Sequence, residues 1–222
     1  MIFPNLCVDN FFDHPDDLVT FANTLAYSPD NTGHWPGVRC PSLNEINYDL
    51  YNKICTKILA LYYPDSIKSL AYRSSLYFQK IPDNLKYDGW VHTDDTVEMT
   101  ALIYLSKHLN CGTSIYKAKN LDAVIKNGES KRAYLKGENI PEKNIKKAKE
   151  ENNNQFYKTI EYNSIYNRII TFDGSQYHAA ETFNNKSEDG SERLTLICFF
   201  YQISHAEKQI KYPIPTAKRI IL

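Results

Sequence analysis

The apolar positions along the chain change their rhythm near Leu70. Before it, Leu18, Phe21, Ala22 and Leu25 recur three and four residues apart, which predicts a helix over 14–27, capped by Asp13 and ended by Pro29. Ser42 with Glu45 three residues on reads as the capping box of a second helix. Its stripe of Ile46, Leu50, Ile54, Ile58, Leu59 and Tyr62 runs up to Pro64. Between the two, 31–41 carries two Pro and two Gly and reads as a loop. After Leu70 the runs are short, rich in Tyr, Phe, Ile, Thr and Leu, and bounded by turn residues, which predicts strands over 72–81, 97–106, 113–119, 166–172 and 193–203. The last is apolar almost throughout from Leu194 to Tyr201, the mark of a strand buried on both faces. Too few helices separate these strands for alternating βαβ units, so the sheets should be mainly antiparallel and the class mainly β, α+β, with the N-terminal helices packed outside.

The pattern is interrupted over 119–163 by Lys, Glu and Asn. This insertion contains a charged stretch, 141–154, that reads as a surface helix. A loop of this length is either a solvated excursion or a lid over a site. Its composition cannot bury enough apolar area to offset the entropy of ordering, which predicts weak order without substrate. No boundary divides the chain. It reads as one domain over 1–222, with a helical support in 1–70, a β core in 71–203 that carries the insertion 120–163, and a C-terminal tail over 204–222.

Composition agrees with that picture. The 222 residues are 42% hydrophobic and 23% charged, ordinary for a globular domain. A chain of this length buries about 70% of its unfolded surface, so the core needs no disulfide staples. Twenty-six basic residues balance 26 acidic ones, so no global positive field argues for a nucleic-acid partner, and only a local basic run in 131–149 departs from this. No apolar run reaches the roughly 20 residues that span a bilayer, and the first ten residues lack the basic-then-apolar order of a signal peptide; no membrane partner is expected. Five cysteines, an odd number without regular spacing, fit a reducing cytoplasm.

The chemistry concentrates in Gly89-Trp90-Val91-His92-Thr93-Asp94-Asp95. In extended chain, residues two apart share a face, so His92 and Asp94 project together and can grip one ion. Much later, a turn at Asp173-Gly174 delivers His178 at the start of a short strand. Two His and one carboxylate on one face of an octahedral ion leave positions open for substrates, the arrangement of non-haem Fe(II) oxygenases. Arg193 stands at the head of the most apolar strand, where an unpaired charge is costly. A carboxylate from a co-substrate, or a surface Asp or Glu, would satisfy its fork of donors. Thr195 faces the same way and can add a hydroxyl.

In order along the chain, His92-Thr93-Asp94, the strand Thr100-Ala101-Leu102-Ile103-Tyr104-Leu105-Ser106, the turn Cys111-Gly112-Thr113, then His178 and Arg193 fifteen residues beyond it resemble the 2-oxoglutarate and Fe(II)-dependent oxygenases of the prolyl-4-hydroxylase-like branch. The resemblance spans 72–203. It implies a double-stranded β-helix, or jelly roll, in which His92, Asp94 and His178 hold Fe(II) and Arg193 holds the distal carboxylate of 2-oxoglutarate. O2 would be consumed with it to give succinate, CO2 and a hydroxylated product. Tyr77 and Tyr104 become candidates to hydrogen-bond that carboxylate, set against core packing in a chain of 17 Tyr. Cys111 replaces the first Gly of the family's Gly-Gly turn, and the insertion before His178 is unusual for the family.

The remaining candidates have plainer readings. Asp95 is a possible second acceptor or simply exposed; His14, His34, His108 and His205 read as surface residues; Trp35 and Trp90 read as packing anchors. A peptidyl side chain, an amino acid or a small metabolite all remain open as substrate, and no residue selects an oligomeric state. The alternative from another class is a non-redox, cupin-like jelly-roll binding protein that keeps a metal. It is disfavoured because a structural zinc site closes with four protein ligands and only three are found.

Overall fold

The computed structural model describes residues 3–82, 89–107, 111–120, 124, 128–136, 138–183 and 192–205. Two antiparallel sheets form the frame, and most helix lies at the N-terminus. The larger sheet has seven strands. They are β1 (Leu6–Val8), β2 (Ser28–Pro29), β3 (Val38–Arg39), β4 (Leu70–Ile81), β5 (Met99–Tyr104), β8 (Ile169–Asp173) and β10 (Arg193–His205), in the order β1-β8-β5-β10-β4-β3-β2. The smaller sheet joins β6 (Thr113–Ala118), β7 (Phe156–Tyr162) and β9 (Tyr177–Ala180) in the order β7-β6-β9.

Strand alternation sorts the two faces of the larger sheet. On β4 and β10 the even positions, Leu76, Phe78, Leu194, Leu196, Cys198 and Phe200, join one apolar cluster, as do Met99, Ala101 and Ile103 of β5. The opposite face carries Tyr77, Gln79, Thr100, Leu102, Arg193, Ile197 and Phe199, which line a cavity. Strand β10 is covered on both sides, which is why its sequence lacks polar alternation.

The apolar cluster is closed by α1 (Pro15–Thr24), α2 (Leu43–Ile46) and α3 (Tyr48–Ala60), through Leu18, Ala22, Leu43, Ile54, Ile58 and Leu59. Each such side chain fully buried contributes about 1.5–3 kcal/mol. The helix caps differ from the sequence expectation. Asp13 does not cap α1; it pairs with Lys57 of α3 at 3.0 Å, and His14 occupies the cap position without a side-chain bond. Ser42 precedes α2 without capping it, and the second helix is broken at Asn47, whose side chain accepts from the Leu50 amide and starts α3. Asn47 wins because its short amide satisfies an otherwise orphaned N–H.

The described part of the insertion carries secondary structure tied to the core. It contains α4 (Gly128–Leu135), α5 (Glu142–Asn153) and strand β7, which pairs along β6. Ile145 of α5 packs with Ile81, Trp90 and Phe183, so the charged helix has a buried edge. Its last turn is tied to the segment before His92: Asn152 Nδ2 donates to the Val91 carbonyl, Asn153 Oδ1 accepts from the Val91 amide, and Asn153 Nδ2 donates to the Gly89 carbonyl. These bonds, absent from any apolar count, offset the ordering entropy. The tail beyond 205, His108 and the side chain of His205 lie outside the described residues. Among the described residues no helix is long and apolar enough to cross a membrane.

Candidate functional site

The two chain segments with metal-ligand chemistry meet edge to edge. His92 and His178 form an isolated antiparallel bridge, with His92 N donating to His178 O at 3.0 Å and the reverse bond at 2.8 Å. Their rings therefore lie side by side, centroids 4.5 Å apart. The segment around His92 is only this bridge, not the longer strand its spacing suggests. Asp94 is brought in by the turn that precedes β9. Its amide donates to the Gly174 carbonyl, and the Gly174 amide donates to Glu98. A Cβ on Gly174 would stand 2.2 Å from the Val97 carbonyl oxygen, so only glycine allows this approach. The loop then reverses at Thr96, whose φ of 68° is left-handed; such a conformation costs a β-branched residue about 1–3 kcal/mol.

The side chains converge. Ligand-capable atoms of His92, Asp94 and His178 all lie within 4.8 Å of one another. Asp94 Oδ1 is 4.0 Å from His92 Nε2, and Oδ2 is 3.5 Å from His178 Nε2. Neighbouring ligands on an octahedral ion with bonds of about 2.1 Å lie about 3 Å apart, so small side-chain movements close the set.

Each imidazole is also held by its other nitrogen. His92 Nδ1 lies 2.7 Å from the Trp90 carbonyl and His178 Nδ1 2.9 Å from that of Gln176. A carbonyl only accepts, so both Nδ1 atoms carry the proton and both Nε2 atoms present a lone pair. Burial, with the Lys131 charge and His178 adding to it, holds His92 well below the usual imidazole range, which keeps the imidazole neutral. Asp94 Oδ2 accepts from Thr100 Oγ1 at 2.6 Å, which fixes the carboxylate's plane.

These residues open on a cavity of about 790 Å³ between the two sheets. At its inner end Arg193 is buried, 5% exposed, and donates from Nε and Nη2 to the Cys111 carbonyl at 3.2 and 3.0 Å. Its guanidinium lies over Tyr104 and Phe183, 5.7 and 5.0 Å from their ring centres. Among the described residues its bonds go to the Cys111 carbonyl and its ring contacts to Tyr104 and Phe183. Burial lowers its pKa and pushes that of Tyr104 up to about 12, partly offset by the Arg193 charge, so Tyr104 stays a neutral phenol. Its hydroxyl donates to Thr113 Oγ1 at 2.9 Å. Thr195 is fully buried, and its Oγ1 has no hydrogen-bond partner.

Two other arginines of the β core are engaged elsewhere. Arg168 grips both Asp9 carboxylate oxygens, at 2.6 and 2.9 Å, and Arg73 lies over Tyr201. Tyr77 lines the cavity but faces Arg39 rather than Arg193. Asp95, His14 and His34 are exposed. Trp90 is a packing anchor, 2% exposed, whereas Trp35 lies on the cavity wall beneath the Arg39 guanidinium. Arg39, Lys131 and Asn152 also line the cavity and were not singled out from sequence, because basic and amide residues in loops carry no spacing signal.

The fold has relatives among solved structures. The epimerase SnoN, in complex with Fe3+, alpha ketoglutarate and nogalamycin RO, aligns with a TM-score of 0.52 at 10% identity over 96% of this chain and 86% of its own. EvdO2 from Micromonospora carbonacea var. aurantiaca aligns at 0.53 and 8% identity over 95% of this chain and 90% of its own. The non-heme alpha ketoglutarate dependent carbocyclase SnoK from nogalamycin biosynthesis aligns at 0.52 and 10% identity over 88% and 78%. At these identities the likeness is one of fold. No protein in the curated set matches by sequence. A family model covers residues 3–200, and the chain belongs to that family, described as a family of unknown function, DUF6445.

Proposed function

We propose that the protein is an Fe(II)- and 2-oxoglutarate-dependent oxygenase that hydroxylates a small-molecule or peptide substrate. The observation that carries this reading is a single cavity with His92, Asp94 and His178 at one place and Arg193 with the orphaned Thr195 hydroxyl at another. The strand order supports a jelly roll: β4, β10, β5 and β8 adjoin in one sheet, while the His92 bridge, β9, β6 and β7 adjoin in the other. The prolyl-4-hydroxylase-like branch is the finer reading, resting on the His92-Thr93-Asp94 spacing and the His178 to Arg193 interval.

The residues present fit the groups this chemistry needs. His92 and His178 offer neutral Nε2 lone pairs and Asp94 an oriented carboxylate, a set of hard to borderline donors suited to Fe(II). Arg193 and Thr195 offer buried donors that a carboxylate would satisfy, and 2-oxoglutarate carries one at its far end. When bound, iron and 2-oxoglutarate together supply the oxidising power from O2 that an unactivated C–H bond requires. The protein's own part is positioning. The Nδ1 bonds hold both imidazoles, Thr100 holds Asp94, and Phe172, its ring 4.6 Å from that of His178, helps exclude water. All five cysteines are free, which supports a cytoplasmic location.

The reading is tested by incubating the full chain with Fe(II), 2-oxoglutarate and a metabolite and peptide mixture under 18O2. Expected are succinate and a product that has gained one 18O atom. Tight metal binding with neither would support a cupin-like binding protein instead.

A further inference from the structure

The wall of the cavity formed by the loop 30–37, β3 and α4 carries two cations that the site described above does not use. Arg39, from the short strand β3, lies over Trp35 at 4.3 Å, with Tyr77 and Phe199 at 5.7 and 5.6 Å. Its Nη2 donates to Gln79 Oε1 at 3.3 Å, and among the described residues its buried Nε has no partner. Lys131, from α4, lines the same cavity. Among the described residues neither has a carboxylate within salt-bridge distance.

The two are held together by design of the backbone. A Cβ on Gly33 would stand 2.3 Å from the Arg132 carbonyl oxygen and 3.0 Å from Lys136 Cγ, and its φ is +75°. Only glycine lets the Trp35 loop lie against α4, so the insertion and the N-terminal loop close on each other with Arg39 and Lys131 on the shared wall. Gln79, which holds Arg39, is itself anchored by donating to the Pro36 carbonyl at 2.6 Å.

Both side chains are half-buried, and taking a cation part-way out of water without a contacting counter-charge is costly. The cost is visible: burial pushes Lys131 down to about 8 and Arg39 down to about 10, the Asp94 charge opposing both shifts. In the oxygenase reading, Asp94 is committed to the metal, and the carboxylate of Asp30, whose charge also reaches Arg39, is engaged by the amides of Thr32, His34 and Trp35 in its own loop. Asp95 and Glu129, the cavity's other acidic residues, are exposed.

We propose that Arg39 and Lys131 form a receptor for an anionic group, a carboxylate or phosphate, on the substrate, with Trp35, Tyr77 and Phe199 fixing the guanidinium plane. Calling that anion part of the substrate rests on the oxygenase reading; the anion site itself does not. A fork presented edge-on suits a planar or tetrahedral oxyanion, and an aromatic bed keeps the fork rigid before the ligand arrives. The substrate class this selects is an acidic small molecule or an acidic or phosphorylated residue of a peptide.

The test uses the full chain stripped of metal, without 2-oxoglutarate, at constant ionic strength and pH 7. Inorganic phosphate is followed by 31P line broadening and 13C-acetate by its carboxyl resonance, with each anion then competed against the other. Saturable binding of one or both is expected, and whichever displaces the other at lower concentration names the source. Arg39→Gln and Lys131→Gln, checked for folding by circular dichroism, should each weaken it at least about tenfold, the loss of one charge-assisted bond. Arg168→Gln, which removes a cation paired with Asp9 away from the cavity, should leave it within about twofold. Absence of saturable binding by either anion, unchanged binding in Arg39→Gln, or loss confined to Arg193→Gln would overturn the proposal. Because no iron or 2-oxoglutarate is present, a failure here is separate from a failure of the oxygenase reading, which would show as absent 2-oxoglutarate turnover beside intact anion binding.

Discussion

His178 does three things at once: its peptide bridges His92, its Nδ1 is held by Gln176, and its Nε2 faces Asp94. Replacing it with Ala leaves the other two ligands in place but removes a neutral donor that neither can supply. His178→Ala should therefore lose stable Fe(II) binding and all turnover, measured by anaerobic metal titration and succinate formation; full activity would remove it from the site. At the other end of the cavity, Arg193 and Thr195 separate by energetics. Arg193→Leu removes a bidentate charged donor worth about 2–4 kcal/mol, so the KM for 2-oxoglutarate should rise roughly 30- to 1000-fold while the iron requirement stays nearly constant. Thr195→Val removes a hydroxyl that has no partner in the protein, so thermal stability should hold or rise slightly. Its KM for 2-oxoglutarate should still rise about tenfold, the worth of one bond to a charged group. A Thr195→Val protein that melts earlier with an unchanged KM would place that hydroxyl in the fold instead.

At the scale of elements, α5 is the structural surprise. Its sequence is charged almost throughout, and periodicity alone reads it as a surface helix, which its outer face is. The buried edge rests on one Ile and two Asn, too few residues for any apolar pattern to reveal. The strands were legible because β4, β5 and β10 are runs rich in β-branched and aromatic residues bounded by turn residues, with β10 apolar almost throughout. Strand β7 was not, since its middle positions are exposed and mix polar with apolar residues, and its place is set by pairing with β6. Asn152→Ala leaves the Val91 carbonyl without its donor, at a cost of about 1–3 kcal/mol. A chain of this size should then melt roughly 2–4 °C earlier per kcal/mol, and Fe(II) affinity should fall with it, because the segment before His92 loosens. Replacing 120–155 by a Gly/Ser linker should cost stability and metal affinity together. A linker variant that melts normally and binds iron normally, but no longer hydroxylates, would make the insertion a lid alone.

Across the whole molecule, the division of labour follows the faces of the larger sheet: helices and apolar contacts behind it, charge and chemistry in front. The candidate set was legible because a His and an Asp two apart, common on their own, stand in order with a distant His and a lone Arg on an apolar strand. What geometry added is the way each is held, by backbone carbonyls and by the glycine at 174, which no spacing reports. The cations of the opposite wall were invisible for the complementary reason, that Arg39 and Lys131 come from a loop edge and an inserted helix with no shared pattern. The most direct measurement of the central claim is release of labelled CO2 from 2-oxoglutarate labelled at C1, followed against added Fe(II) under air. The account predicts release that saturates with Fe(II), is matched by succinate and disappears in His178→Ala. Release that is independent of iron, or equal in His178→Ala, or absent from a folded chain that binds Fe(II), would contradict it.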